Sequence, residues 1–246
     1  MILRYLSVLT DEPLAFMILV GAFATALFAG LTLHEFSHAL VADRLGDRTP
    51  RRFGRLTLNP RAHLDPIGSL MIFFIGFGWA KPVPVNPMAT ANPKQTMALT
   101  SIAGPASNVV IAGLAGFPIN IGWIPFHHPF ISPAFVSRAA AEWTSSPGDL
   151  LGLFLGTLVL LNVILAVFNL LPIAPLDGFN AAVGLLPRDL SRQLQATAPW
   201  GMGILLALIF LPRLGGFQSP LFFVMSPLID LLLSAFVGNA TDLRFG

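Results

Sequence analysis

Residues 13–38 read PLAFMILVGAFATALFAGLTLHEFSH, an apolar run without charge from Pro13 through Leu33 that ends in His34-Glu35-Phe36-Ser37-His38. About 20 apolar residues in a helix cross the hydrocarbon core of a bilayer, so this run is long enough to span it. Asp11 and Glu12 precede it and put negative charge at the helix N-terminus, where the helix dipole favours it. Arg4 and the Ala22-Phe23-Ala24 triplet imitate a cleavable leader. The run is longer than a leader's apolar region and continues into ionisable groups, which marks a retained helix.

The whole chain repeats this character. Of its 246 residues 54% are hydrophobic and 11% charged, where a soluble domain carries about 25% charged residues. A soluble globule could not cover its surface with so few charges, and the uncharged stretches 95–137 and 150–176 are those of a polytopic membrane protein. There is no Cys and the net charge is only +2, which excludes a disulfide scaffold and a nucleic-acid partner.

Further spans are predicted from about Met97 to Phe117 and from about Leu150 to Leu171, with weaker ones at about Trp200–Leu211 and Leu221–Val237. Pro66–Ala80 is apolar but short and Gly-rich at its end, so it is expected to re-enter, or to cross and be returned by the segment after it. The fold class is therefore an all-α polytopic membrane protein of about five to six transmembrane or re-entrant helices, forming one membrane-embedded domain over residues 1–246. Arg44, Arg48, Arg51, Arg52, Arg55 and Arg61 follow the first helix, which puts that loop on the cytoplasmic side of the cell membrane. If Pro66–Ala80 does not cross, Lys81, Lys94, Arg188, Arg192 and Arg244 lie on the same side, leaving Arg4, Arg138 and Arg213 outside.

His34-Glu35-Phe36-Ser37-His38 matches H-E-x-x-H. Residues four apart on an α-helix are about 40° and 6 Å apart, so both imidazoles can meet one metal ion, with Glu35 beside them to take a proton from water. At the end of an apolar helix such a cluster is otherwise costly. A catalytic zinc site usually has three protein ligands. His63, His127, His128 and any carboxylate are formally available as the third. Arg44 stands where a metzincin has its third His, and Asp43 lies about 140° round the helix from His38. Asp177 is the better candidate, because it closes a long uncharged run between Pro175 and Gly178, as a ligand on an unwound segment would.

These residues resemble the site-2 protease family of intramembrane zinc metallopeptidases, in its compact bacterial and archaeal branch without PDZ or CBS domains. H-E-x-x-H is joined by N-x-x-P-x-x-x-x-D-G at Asn169–Gly178, by Ala103-Gly104-Pro105-Ala106-Ser107-Asn108, and by the stretch Gly76–Pro87. The resemblance covers roughly residues 30–180 and implies one Zn2+ per chain on His34, His38 and Asp177, with Glu35 as general base. It implies a zinc metalloendopeptidase that cuts peptide bonds in or near transmembrane segments of membrane-protein substrates, close to the cytoplasmic face. The catalytic core is expected over about 13–180 and C-terminal helices over about 196–240.

Counting about 1.5 Å per residue puts His34 about 30 Å along its helix, so Asp177 must reach the same depth at the end of a helix running the other way. Lys81–Pro87 reads equally as an extended edge for strand addition to an unwound substrate and as an interfacial loop. Asn108, Asn169 and Asn180 are candidates to orient ligands or stabilise an oxyanion, with helix-to-helix hydrogen bonding as the alternative. Gly104, Gly113 and Gly116 are expected to let helices approach closely, and His127 and His128 to be loop or interfacial residues on the outer side. Asp230 interrupts the last apolar run and is expected either to pair inside the bundle or to face an aqueous cavity. The competing functions are a metal-ion transporter using the same residues as a pathway and a non-proteolytic membrane binding protein. The oligomeric state is open.

Overall fold

The computed structural model describes residues 5–76, 78–131, 135–216 and 219–238, and among these it is helical without a strand. Arg4, Phe77 and Arg244 of the sequence reading lie outside the described residues.

After a short α1 (Leu6–Asp11), Pro13 opens α2 (Pro13–Thr25), which runs through one π-helical turn at Ala26–Gly30 into α3 (Leu31–Arg44). Pro at the first helical position costs nothing, since that N–H has no partner in any helix. Together they form one apolar span of 32 residues, Pro13–Arg44. The π turn ends four residues before His34 and shifts the helix face there, a device frequent at functional sites.

α4 (Thr49–Arg52) and α5 (Pro60–His63) lead to α6 (Pro66–Ile75), capped by the Asp65 carboxylate accepting from Gly68 N. At ten residues α6 is too short to cross, and Gly76 ends it in the left-handed region at φ 87°. The chain then turns back: Ala80 bridges Leu64 antiparallel, and Lys81 N donates to His63 O at 2.7 Å. Gly68 and Gly78 let the two limbs touch, because a Cβ on either would fall 2.0 Å from a carbonyl oxygen of the other limb. The two ends of 64–80 therefore meet, the return that the sequence reading expected of this segment.

α7 (Pro93–Asn120), α9 (Pro147–Asn169) and α13 (Pro220–Val237) are further candidate spans. α11 (Arg188–Ala196) and α12 (Ala198–Gly215) bend by 62° at their junction and together form a fifth. The predicted spans are all helical, and α7 and α9 begin earlier than apolarity alone indicates because Pro93 and Pro147 occupy first-turn positions. Ser146 caps α9 by accepting from Asp149 N.

α7 is the centre of the bundle, packed against α3, α9, α10 (Asp177–Leu185) and α13. Ala112, Val159, Leu160, Val163, Ile229 and Leu233 are among the residues of its main core. A second cluster joins α1, α2, α9 and α8 (Val136–Trp143) through Tyr5, Leu19, Trp143 and Leu153, and Tyr5 Oη donates to Pro129 O at 2.6 Å. Met17, Leu114, Trp200 and Phe223 point outward, as helix faces turned to lipid do. Helix lengths and these faces make the chain a multi-pass membrane protein.

Candidate metal centre

His34 and His38 lie one turn apart on α3, both buried, their rings 4.7 Å apart and nearly perpendicular at 82°. Asp177 is the first residue of α10, beyond the irregular turn 170–176 that follows α9. Gly178 makes this fold-back sterically feasible, because a Cβ there would lie 2.1 Å from Leu170 O. The Asp177 carboxylate oxygen Oδ2 thereby reaches 3.0 Å from His34 Nε2 and 3.2 Å from His38 Nε2. One ligand atom from each of the three falls within 4.8 Å of the others, a grouping that can hold one metal ion.

Each imidazole is held from behind. His34 Nδ1 donates to Asn108 Oδ1 at 2.6 Å, and His38 Nδ1 donates to Thr100 O at 2.6 Å, both partners being on α7. Protons on Nδ1 leave the two Nε2 lone pairs facing Asp177, the tautomer a metal requires. Asn108 is oriented in turn, since its Nδ2 donates to Asn162 Oδ1 at 2.9 Å and Asn162 Nδ2 to Leu158 O at 2.9 Å. Asn108 and Asn162 are fully buried, so this chain of amides fixes which atom His34 meets. Gly30 admits it: a Cβ there would lie 2.9 Å from Asn162 Oδ1.

Gly104 faces the same atoms from α7, where a Cβ would sit 2.4 Å from His38 Nε2 and 2.6 Å from His34 Nε2. The small-residue helix thus leaves space where the ligand atoms converge. Two imidazoles and a carboxylate, set in the correct tautomers beside that space, fit a metal ion.

Glu35 is buried on α3 within electrostatic reach of His34, His38, Asp177 and His63, and it makes no hydrogen bond among the described residues. Its carboxylate is free for chemistry. His63 donates from Nε2 to Thr57 O at 2.7 Å and stands outside the metal group. His127 pairs with Asp149 at 2.8 Å, and His128 is buried between the rings of Phe126 and Phe130, away from the group. Asp43 is held by Arg48 and Arg51 at 3.2 and 2.7 Å. Of the three asparagines singled out in the sequence, only Asn108 touches a ligand. Asn169 donates to Leu165 O of its own helix at 3.0 Å, and Asn180 is exposed. Asn162 and the Thr100 carbonyl were missed; an amide inside an uncharged run is a signal for the first, whereas a backbone carbonyl leaves none.

Fold and site together define a multi-pass membrane protein with two buried histidines and a partly buried carboxylate grouped to suit a metal ion. Three relatives share most of its length, each provisionally named a zinc metalloprotease. YwhC of Bacillus subtilis is 36% identical over 186 residues, covering 76% of this chain and 78% of the relative. Rip2 of Mycolicibacterium smegmatis is 32% identical over 95% of this chain and 85% of its own, and Rip2 of Mycobacterium tuberculosis H37Rv 30% over 87% and 76%. The chain belongs to the site-2 protease family of zinc metallopeptidases. No family model matches it, and neither does any solved structure.

Proposed function

We propose that this protein is an intramembrane zinc metalloprotease that hydrolyses peptide bonds in or near transmembrane segments of membrane-protein substrates. The observation that carries the reading is the convergence of His34 Nε2, His38 Nε2 and Asp177 Oδ2 beside an unengaged Glu35, at the end of an apolar span. His34, His38 and Asp177 are the zinc ligands in this reading, three protein ligands being the set of a catalytic rather than a structural site. Zinc supplies Lewis-acid polarisation of the scissile carbonyl and acidifies the attacking water.

Glu35 takes a proton from that water as its oxygen bonds to the carbonyl carbon, and passes a proton to the amine nitrogen as the C–N bond breaks. Asn108 and the Thr100 carbonyl keep the imidazoles aimed throughout, so little reorganisation is needed. A helical substrate hides its carbonyls in internal hydrogen bonds and must unwind locally first. Residues 81–86, outside any helix and tied down at Lys81 by His63 O and at Asn86 by Asp47 Oδ2, offer an edge to the unwound strand. Pro82 and Pro84 carry no N–H, so that edge recognises substrate mainly through its carbonyls and the N–H groups of Val83 and Val85.

Residues 13–180 form the catalytic core in this account, and α12 and α13 flank it within one domain. The arginine-rich loop after α3 supports a site near the cytoplasmic face of the cell membrane. The test is to purify the protein in detergent, count bound zinc, and assay a generic transmembrane substrate against Glu35→Gln. Wild type should carry zinc and cleave; Glu35→Gln should keep zinc and lose cleavage by at least about 100-fold. A zinc-free wild type that leaves the substrate intact contradicts the reading.

A further inference from the structure

Of the acidic residues outside the metal centre, Asp230 is exposed on α13 and not paired inside the bundle as its sequence context suggests. Asp43 is neutralised by Arg48 and Arg51. Asp47 differs from both, being fully buried and without an ion pair among the described residues. A buried carboxylate is costly unless hydrogen bonds replace its water. Asp47 has two: Oδ1 accepts from Thr49 N at 2.9 Å, and Oδ2 accepts from Asn86 N at 2.6 Å. The first is a local turn bond that needs no burial, since Asn59 makes the same bond to Arg61 N while exposed. The second joins positions 39 apart in the chain and is short, as bonds to a charged acceptor are.

Both sides of that long-range bond are stiff. On one side, Gly46 turns the chain back at φ 107°, a backbone region that favours glycine. Asp47 N then donates at 3.0 Å to Ala42 O, one helical turn beyond His38 on α3. On the other side, Lys81, Val83 and Asn86 each precede a proline, which disfavours the helical region for all three, and Pro82 and Pro84 have a fixed φ. So stiff a segment is positioned by its two ends. The Lys81 end is held by His63 O at 2.7 Å, with the Arg55 guanidinium donating to Lys81 O at 3.3 Å. The Asn86 end is held by Asp47, and through it by the helix that carries His34, Glu35 and His38.

We infer that Asp47 is a positioning residue for proteolysis: it fixes residues 81–86 relative to Glu35 and so selects which peptide bond of the unwound substrate is cut. The inference rests on the protease reading and on that segment as the substrate's edge. Side chains alternate between the two faces of a strand, so a substrate slips along a displaced edge in steps of two residues. Asp47→Ser keeps an oxygen for the turn bond to Thr49 N but is too short to hold Asn86, which isolates the long-range contact. In the purified, zinc-loaded full chain, Asp47→Ser should cut a transmembrane substrate at the wild-type bond and also two residues to either side, read by mass spectrometry of the products. KM should rise about tenfold, the effect of one lost hydrogen bond to a charged group, with kcat within about twofold and zinc content unchanged. Asp47→Asn, of the same shape and with one acceptor oxygen left, should show the same changes to a smaller degree. Amide hydrogen exchange should quicken in the peptide containing Asn86 while α3 stays protected. An active wild type beside an Asp47→Ser variant with the same KM and the same single cut overturns this inference and leaves the protease reading standing. A lower melting temperature in the variant with KM and cut site unmoved does the same, since a merely structural residue gives that result. A zinc-loaded wild type that cuts nothing overturns both.

Discussion

His34 on α3 and Asn108 on α7 are joined by a 2.6 Å hydrogen bond in which the imidazole donates and the amide oxygen accepts. The amide cannot turn over without losing Asn162 Oδ1, so α9 reaches the metal centre through α7 without touching it. Asn108→Ala should weaken zinc affinity about 10- to 100-fold, the usual effect of removing the group behind a ligating His. Asn162→Leu should do so more mildly. Competition titration against a chelating dye measures both, and unchanged affinity in Asn108→Ala would contradict the orienting role.

Gly104 gives a sharper steric case. Ala is the better helix former by about 1 kcal/mol, yet its methyl would press within 2.4–2.6 Å of both Nε2 atoms. Gly104→Ala should therefore fold with normal helix content by circular dichroism and retain no stoichiometric zinc. Full zinc occupancy in that variant would show that the ligand atoms do not converge here.

Removal of the metal should separate activity from folding. The main core of α7, α9 and α13 is built from residues such as Val159, Val163 and Ile229 without the metal ligands. A strong chelator should abolish cleavage while leaving the helical spectrum intact, and added zinc should restore activity. Global unfolding on chelation would mean that α3 and α10 are held mainly through the ion.

Acid should act at the other end of the molecule. Burial between Phe126 and Phe130 pushes the His128 imidazole down to about 4, and its Nδ1 accepts from Phe130 N, so it is neutral in the fold. The unfolded chain binds the proton at an ordinary pKa of about 6.5, so this contribution is present above that pH and is lost as pH falls towards 4. Thermal melts should show the midpoint dropping through this window, and His128→Gln should flatten the slope. An unchanged slope in the variant would rule out His128 as its source.

Much of this was legible in the sequence because lipid leaves few options: uncharged runs become helices, and ionisable residues within them need a reason. H-E-x-x-H set both imidazoles on one helix face, and Asp177 stood out between Pro175 and Gly178. The return of residues 66–80 followed from loop charge, though its device, Gly68 against Gly78, depends on which limbs touch. Asn169 and Asn180 looked as eligible as Asn108, because an amide's partner is set by helix rotation and depth, which a one-dimensional pattern does not carry. Asn162 was hidden for the same reason, and Asp230 revealed only its cost, not that it faces outward.

Zinc counting with X-ray absorption on purified protein tests most directly whether His34, His38 and Asp177 bind one zinc ion. Wild type should hold one zinc per chain in a sulfur-free shell containing two imidazoles, with Zn–N near about 2.0 Å. Asp177→Ala and His38→Ala should each lose the ion while keeping the helical spectrum. Stoichiometric zinc with an unchanged absorption spectrum in both variants would contradict the account.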